Sequence, residues 1–263
     1  MLASLRIFFS GAWLSFVGLF HWTSPMNYLA SKIVMPINSI LFFTLLGTSA
    51  TGDGSSDIYV IGNAMQVASI NGIYGVTMCV GNERNNGTLI YVLGSPANRF
   101  VTFLGRALFN VIDGIITVVL GFIWGVVLLG LDLSTANLPG LALAILVTRA
   151  ATCGLGLLLG SVALVALNVM FINNTVYFLL LLFSGANLPL QNLPAWMQAL
   201  SNALPLTRGI AAARLLVHGA GLSEVAPLLL GELAVGLVYA MLGFSFFSWF
   251  EFQAKRRGTL EAF

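Results

Sequence analysis

The 263-residue chain carries 11 Lys and Arg and 9 Asp and Glu, so 8% of it is charged, against about 25% in an average soluble domain. With 58% apolar residues and a mean hydropathy of +0.95, it reads as an integral membrane protein. A soluble enzyme and a disordered protein are excluded. So is a nucleic-acid binder, because a net charge of +2 leaves no basic tract to neutralise phosphates.

In the first 24 residues, Leu5, Phe8, Phe9, Ala12, Phe16 and Phe20 recur at helical spacing, with Arg6, Ser10 and His21 away from the stripe. This predicts an amphipathic helix over 1–24, lying in the membrane interface. Pro25 ends it and turns the chain into the first span. A cleaved signal peptide is the alternative, although no small-x-small site follows.

A bilayer core needs about 20 apolar residues per helix, and six such spans are expected. They are Tyr28 to Thr48, with Lys32 near one end; Ile58 to Gly81; Ala107 to Leu131, carrying Asp113; two from the stretch Leu138 to Asn187; and Val225 to Phe250, carrying Glu232. The turn inside the long stretch is expected at Asn168 or at the pair Asn173 and Asn174, with the region near Asn168 favoured. Arg6, Arg84, Arg99, Lys255, Arg256 and Arg257 then share one side, which the positive-inside rule makes cytoplasmic together with both termini. Asp53, Asp57 and Asp132 fall on the other side, along with the dissenting Arg208 and Arg214.

No Asp, Glu, Lys or Arg occurs from Ala150 to Thr207. The part of it not used by spans, Leu188 to Thr207, holds Pro189, Pro194 and Pro205 together with Trp196 and Met197, and opens an outer segment 188–214. Prolines break helices, so short re-entrant helices in the outer leaflet are expected. An interfacial loop anchored by Trp196 is the alternative. Arg208 and Arg214 would return the chain to the outer aqueous edge.

The sequence has no Gly-Lys dipeptide and hence no phosphate-binding loop. Cys79 and Cys153 lie in apolar runs and read as packing residues. His21 and His218 belong to no cluster with metal-ligand spacing. The intramembrane ionisable residues are Asp113, Arg149 and Glu232, with Arg106 near a span end. Such groups face the bundle or a cavity. Either they pair internally, Asp113 with Arg149 or Arg106, or they form an ion relay.

The densest polar segment is 83–99. In it Leu89 and Leu93 share a helix face, Gly94 and Pro96 act as stop signals, and charges flank the apolar knobs. Such a helix suits a groove on another protein. Its pattern Glu83-Arg84-x-x-Gly87-Thr88-Leu89, then Leu93, then Ser95-Pro96-x-x-Arg99 resembles the cytoplasmic loop of ABC transporter permeases of the type 2 export class. Leu193-Pro194-x-Trp196, Pro205-Leu206-Thr207 and Arg214-Leu215 resemble the outer segment of the same class, which serves drug-resistance, nodulation-factor, polysaccharide and teichoic-acid export.

The resemblance implies a single all-α transmembrane domain over 1–263. It would comprise six transmembrane helices, an interfacial helix, a coupling helix within 83–99 and short outer helices gating the exit. It implies a plasma-membrane permease, of bacterial type, paired with a second copy or a sister permease. Two ATPase subunits would dock on the loop and bind ATP and Mg, which the permease itself does not use. The alternative class is an ion-coupled secondary transporter or channel using Asp113 or Glu232, which inverted repeats would support; none is visible.

Overall fold

The computed structural model describes residues 9, 10, 13, 17, 24–51, 56–94, 99–166 and 168–257. The helix expected over 1–24 lies almost wholly outside the described residues, and Pro96 lies outside them. Among the described residues the regular structure is helical throughout: α1 Pro25–Thr51, α2 Asp57–Asn85, α3 Leu89–Gly94, α4 Arg99–Leu129, α5 Leu138–Ala163, α6 Val169–Phe183, a 3-10 turn Leu190–Asn192, α7 Ala195–Ala203, α8 Thr207–Val217 and α9 Leu222–Arg257.

Among the described residues four stretches are long and apolar enough to cross a membrane: Met26–Ala50, Val101–Leu129, Leu138–Ala163 and Leu222–Phe250. The other two expected spans depart from that standard for different reasons. Helix α2 has 29 residues and is about 43 Å long, but Asn63, Gln66, Ser69 and Thr77 dilute its apolar character. All four are buried, because α2 is surrounded by α1, α4, α5, α6 and α8. A helix enclosed by other helices has no need to be apolar all round. Helix α6 is apolar but has only 15 residues, about 22 Å against a hydrocarbon core of about 30 Å.

The long uncharged stretch breaks where expected. Helix α5 stops at Ala163, and α6 opens with Asn168 as its N-cap. The Asn168 side chain accepts the Phe171 N–H at 2.9 Å, satisfying one of the free donors of the first turn.

Helix α5 is the centre of the packing, with α9 on one side and α2 on the other. The backbones approach through small residues, the means by which apolar helices gain contact in a lipid-like solvent. A Cβ on Gly154 would meet the Gly236 carbonyl oxygen at 2.3 Å, and one on Gly236 would meet the Ala151 Cα at 2.4 Å. On the other face a Cβ on Gly156 would meet the Gly72 carbonyl oxygen at 2.9 Å.

Two apolar clusters hold the ends of the bundle. At the end carrying α3, Val80, Phe103, Ala163, Val169 and Phe247 join α2, α4, α5, α6 and α9. The far end is held by a larger cluster that includes Ile61, Leu131, Ile210, Leu216 and Val225.

Gly236→Leu is therefore expected to overpack the α5–α9 contact and cost about 1–3 kcal/mol, read as a lowered unfolding temperature in detergent. Gly94→Ala, where a new Cβ has no neighbour within 4 Å, should leave that temperature unchanged.

Candidate functional site

The loop 83–99 begins as a helix stop. Helix α2 ends at Asn85, and Gly87 takes φ +67, a left-handed conformation that glycine adopts without strain. The Thr88 N–H donates to the Glu83 carbonyl at 2.8 Å and the Gly87 N–H to the Arg84 carbonyl at 3.0 Å. This pair of bonds is the Schellman closure of a helix C-terminus. The Thr88 hydroxyl donates to the Glu83 carboxylate, so a polar contact stands where that motif often has an apolar one. The spacing Glu-Arg-x-x-Gly-Thr thus specifies a fixed turn that launches α3 from the end of α2.

Arg84 joins this turn to the neighbouring helix end. Its Nη1 donates to the Ala163 carbonyl at 3.0 Å and to that of Ala166, placing a cation on the orphan carbonyls at the C-terminus of α5. On α3, Leu89 is turned inward and packs against the cluster of Val80, Phe103 and Phe247. Tyr91, about 200° further round the helix, is 76% exposed. Leu93 lies in α3 and Arg99 opens α4, but their side chains are outside those described.

The proline-rich segment is broken into short pieces. Pro189 precedes the 3-10 turn, Pro194 precedes α7, and Pro205 sits in the turn between α7 and α8. Trp196 on α7 is 64% exposed. The turn into α8 forces Leu206 to φ +85, in the left-handed region, although the residue is fully buried. Glu232 of α9 holds this turn. Its carboxylate accepts the Leu206 N–H and, at 3.3 Å, the Gly209 N–H. Arg208 lies near enough for its charge to act on the carboxylate. A fully buried carboxyl group thereby caps the N-terminus of α8, where its oxygens meet the free N–H groups of the first turn.

Arg214 does not return the chain to an aqueous edge, as the sequence suggested. Its Nη2 turns inward to the carbonyls of Ile58 at 2.9 Å, Gly185 at 2.8 Å and Ala186 at 3.1 Å. It therefore ties α8 to the start of α2 and the turn after α6. Along the same end of the molecule, the Asp132 carboxylate accepts the Ser134 N–H at 2.8 Å. That bond holds its carboxyl below the usual range.

Asp113 also differs from expectation. Among the described side chains its ion pair is with Lys32, and it accepts the Tyr28 hydroxyl as well. Lys32 Nζ donates in addition to Thr117 Oγ1 at 2.9 Å and stands 5.4 Å from the Tyr28 ring centre. Tyr28 and Lys32 are four residues apart on α1, and Asp113 and Thr117 four apart on α4, so two helix faces meet as a clasp. Arg149, buried on α5, is close enough to feel the Asp113 charge and donates to the Asn110 carbonyl at 2.7 Å. The side chain of Arg106 is outside those described. Only the i, i+4 pairing of Tyr28 with Lys32 hinted at the role of Lys32.

Among the described residues no three His, Cys, Asp or Glu side chains gather as a metal site. Cys79 and Cys153 are thiols outside any disulfide, and the Cys79 Sγ donates to the Gly75 carbonyl at 3.1 Å.

Lys32→Met should deprive the buried Asp113 of its ion-pair partner and leave it the Tyr28 hydroxyl, a loss of up to about 3–5 kcal/mol, seen as a fall in folded protein recovered from membranes. Combining it with Asp113→Leu should recover most of that loss, because the uncompensated charge is gone.

No curated protein matches the chain. The model of the ABC-2 type transporter family matches residues 9–217, a stretch that takes in the loop at Glu83 and Arg84, the Asp113 clasp and the whole proline-rich segment. The chain belongs to the ABC-2 type transporter family and is an ABC transporter permease embedded in the membrane.

Proposed function

We propose that the chain is the membrane-spanning subunit of an ATP-driven exporter, with a second copy or a sister permease completing the path. Two separate ATPase subunits dock on the loop 83–99 and bind ATP and Mg; the chain itself contributes no hydrolysis. The loop side is cytoplasmic, together with both termini, in a bacterial plasma membrane. The segment 188–214 lies in the outer leaflet, where Pro189, Pro194 and Pro205 break it into the pieces of an exit gate and Trp196 anchors at the interface.

The observation that carries this reading is the build of the loop. A helix of six residues stands on a Schellman turn, fixed from beneath by Arg84 and Leu89, and presents Tyr91 outward. A rigid, exposed knob on a short helix transmits force to whatever grips it. A loop serving only as a connector needs neither the turn chemistry nor the link to α5. Glu83 sets the turn through Thr88, and the motif's Leu93, Pro96 and Arg99 are assigned to ATPase coupling with it. The ion-coupled alternative gains no support from Asp113 and Glu232, both of which are engaged by protein partners.

The test is copurification of the permease with its ATPase, followed by hydrolysis in the complex. The permease alone should hydrolyse no ATP. Leu89→Asp places a charge in the cluster beneath α3, where burying a Leu contributes about 1.5–3 kcal/mol, and should uncouple or dissociate the complex. Tyr91→Ala should weaken the association without disturbing permease folding. Normal assembly and normal hydrolysis in both variants would count against docking at this loop.

A further inference from the structure

We infer that Glu232 is a positioning residue of the segment 188–214, through which helix α9 carries movement from the loop end of the molecule to the far end. The inference deepens the proposed function: its direction, from ATPase to gate, rests on that reading, while the mechanical link stands on the geometry alone.

Helix α9 is a single element of 36 residues, about 54 Å long, and it touches both candidate sites. At the loop end its Phe247 belongs to the cluster on which Leu89 of α3 packs, with its ring 5.3 Å from that of Phe103. Fifteen residues earlier, about 22 Å along the axis, Glu232 accepts the Leu206 and Gly209 N–H groups at the start of α8. Beside it, a Cβ on Gly231 would meet the Arg208 side chain at 2.9 Å. Displacement of α3 acts on Phe247, a helix transmits it axially, and the carboxylate applies it to the turn between α7 and α8.

The far contact has the character of a joint. Leu206 holds φ +85, a conformation strained for a residue with a Cβ, which persists only where its surroundings impose it. Glu232 supplies that restraint from another helix. A turn held from outside its own chain segment changes when the helix holding it shifts. A turn stable by itself would not respond.

The test reads the far end while perturbing the loop end, in the full chain in membranes and without an ATPase. Asn202, exposed near the end of α7, is replaced by Cys in a background carrying Cys79→Ala and Cys153→Ala, and its rate of labelling by a membrane-impermeant maleimide is measured. Phe247→Ala should change that rate by about threefold or more. In Glu232→Gln, whose amide cannot accept both N–H groups as the carboxylate does, Phe247→Ala should have no further effect. Phe247→Leu serves as the milder perturbation should the alanine variant fail to fold.

Leu206→Gly removes the cost of the positive φ and separates restraint from transmission. In Glu232→Gln with Leu206→Gly, the response to the Phe247 change should remain absent. The inference is overturned if the Phe247 change leaves the rate unaltered with Glu232 in place. It is equally overturned if it alters the rate by the same factor in both backgrounds, or if Leu206→Gly restores the response. A permease that passes this test yet fails to copurify with an ATPase would sink the docking reading alone.

Discussion

A polar group inside a membrane bundle has no water to turn to, so it must find its partner within the chain. In this structure that constraint is met by placing charges on helix ends. The Arg84 guanidinium covers the carbonyls of Ala163 and Ala166 at the end of α5. Arg214 covers those of Gly185 and Ala186 after α6, and that of Ile58 at the start of α2. Glu232 covers the N–H groups of Leu206 and Gly209 at the start of α8. The signs agree with the helix dipole after α5 and α6, where cations cover carbonyls, and at the start of α8, where a carboxyl group covers N–H groups; the Ile58 carbonyl, in the first turn of α2, holds Arg214 by its hydrogen bond alone. One side chain removes two costs at once, the buried charge and the orphan backbone groups. Both candidate sites owe their fixed geometry to these contacts.

The same constraint explains why α2 is the least apolar of the long helices. Enclosed by its neighbours, it spends its polar residues inward. Asn63 donates to Asn187 at 2.9 Å, and Gln66 accepts from Ser184 at 3.0 Å. These bonds bind the turn after α6 to the centre of the bundle. Glycines on α5 and α9 complete the arrangement by letting backbones approach where Leu or Ile would hold them apart. The bundle therefore rests on close backbone contact and internal polar bonds. The apolar surface of α4 and α9, where Val127, Leu237 and Met241 are exposed, is left for lipid.

What the sequence made legible follows from which signals are local. Composition and run length located the helices. Asn168 marked the turn between α5 and α6, because a cap acts on residues three positions away. The prolines at 189, 194 and 205 broke their segment wherever they stood. Gly87 was visible as part of a motif, but its role as the stop of α2, in a Schellman turn, was not. Contacts between helices were not legible. Lys32 and Asp113 are 81 residues apart, and nothing local distinguishes Lys32 from Arg149 or Arg106 as the partner. Arg214 was read as facing water because an arginine near a span end usually does. Its three carbonyl partners come from elements distant in sequence. Leu206 carried no signal at all, since a leucine with positive φ is unusual and is here imposed by Glu232 from 26 residues away.

The two buried carboxylates bear directly on how such a protein is driven. A carboxylate that carries an ion across a membrane must exchange partners in each cycle, and so needs a state in which its protein contacts are weak or replaced by solvent. Asp113 instead holds a lysine, a tyrosine and, through Lys32, a threonine in one clasp between α1 and α4. Glu232 holds two backbone donors whose loss would free a strained turn. Breaking the Asp113–Lys32 pair costs several kcal/mol of buried, unpaired charge, and breaking the Glu232 contacts leaves two backbone donors unsatisfied, costs that a proton cycle must meet at every turnover. A chain driven from outside has no such requirement. Its buried charges can stay paired while whole helices shift, and they serve best when they never let go. The saturation of Asp113 and Glu232 therefore suits a permease moved by a partner's ATP better than one moved by an ion of its own.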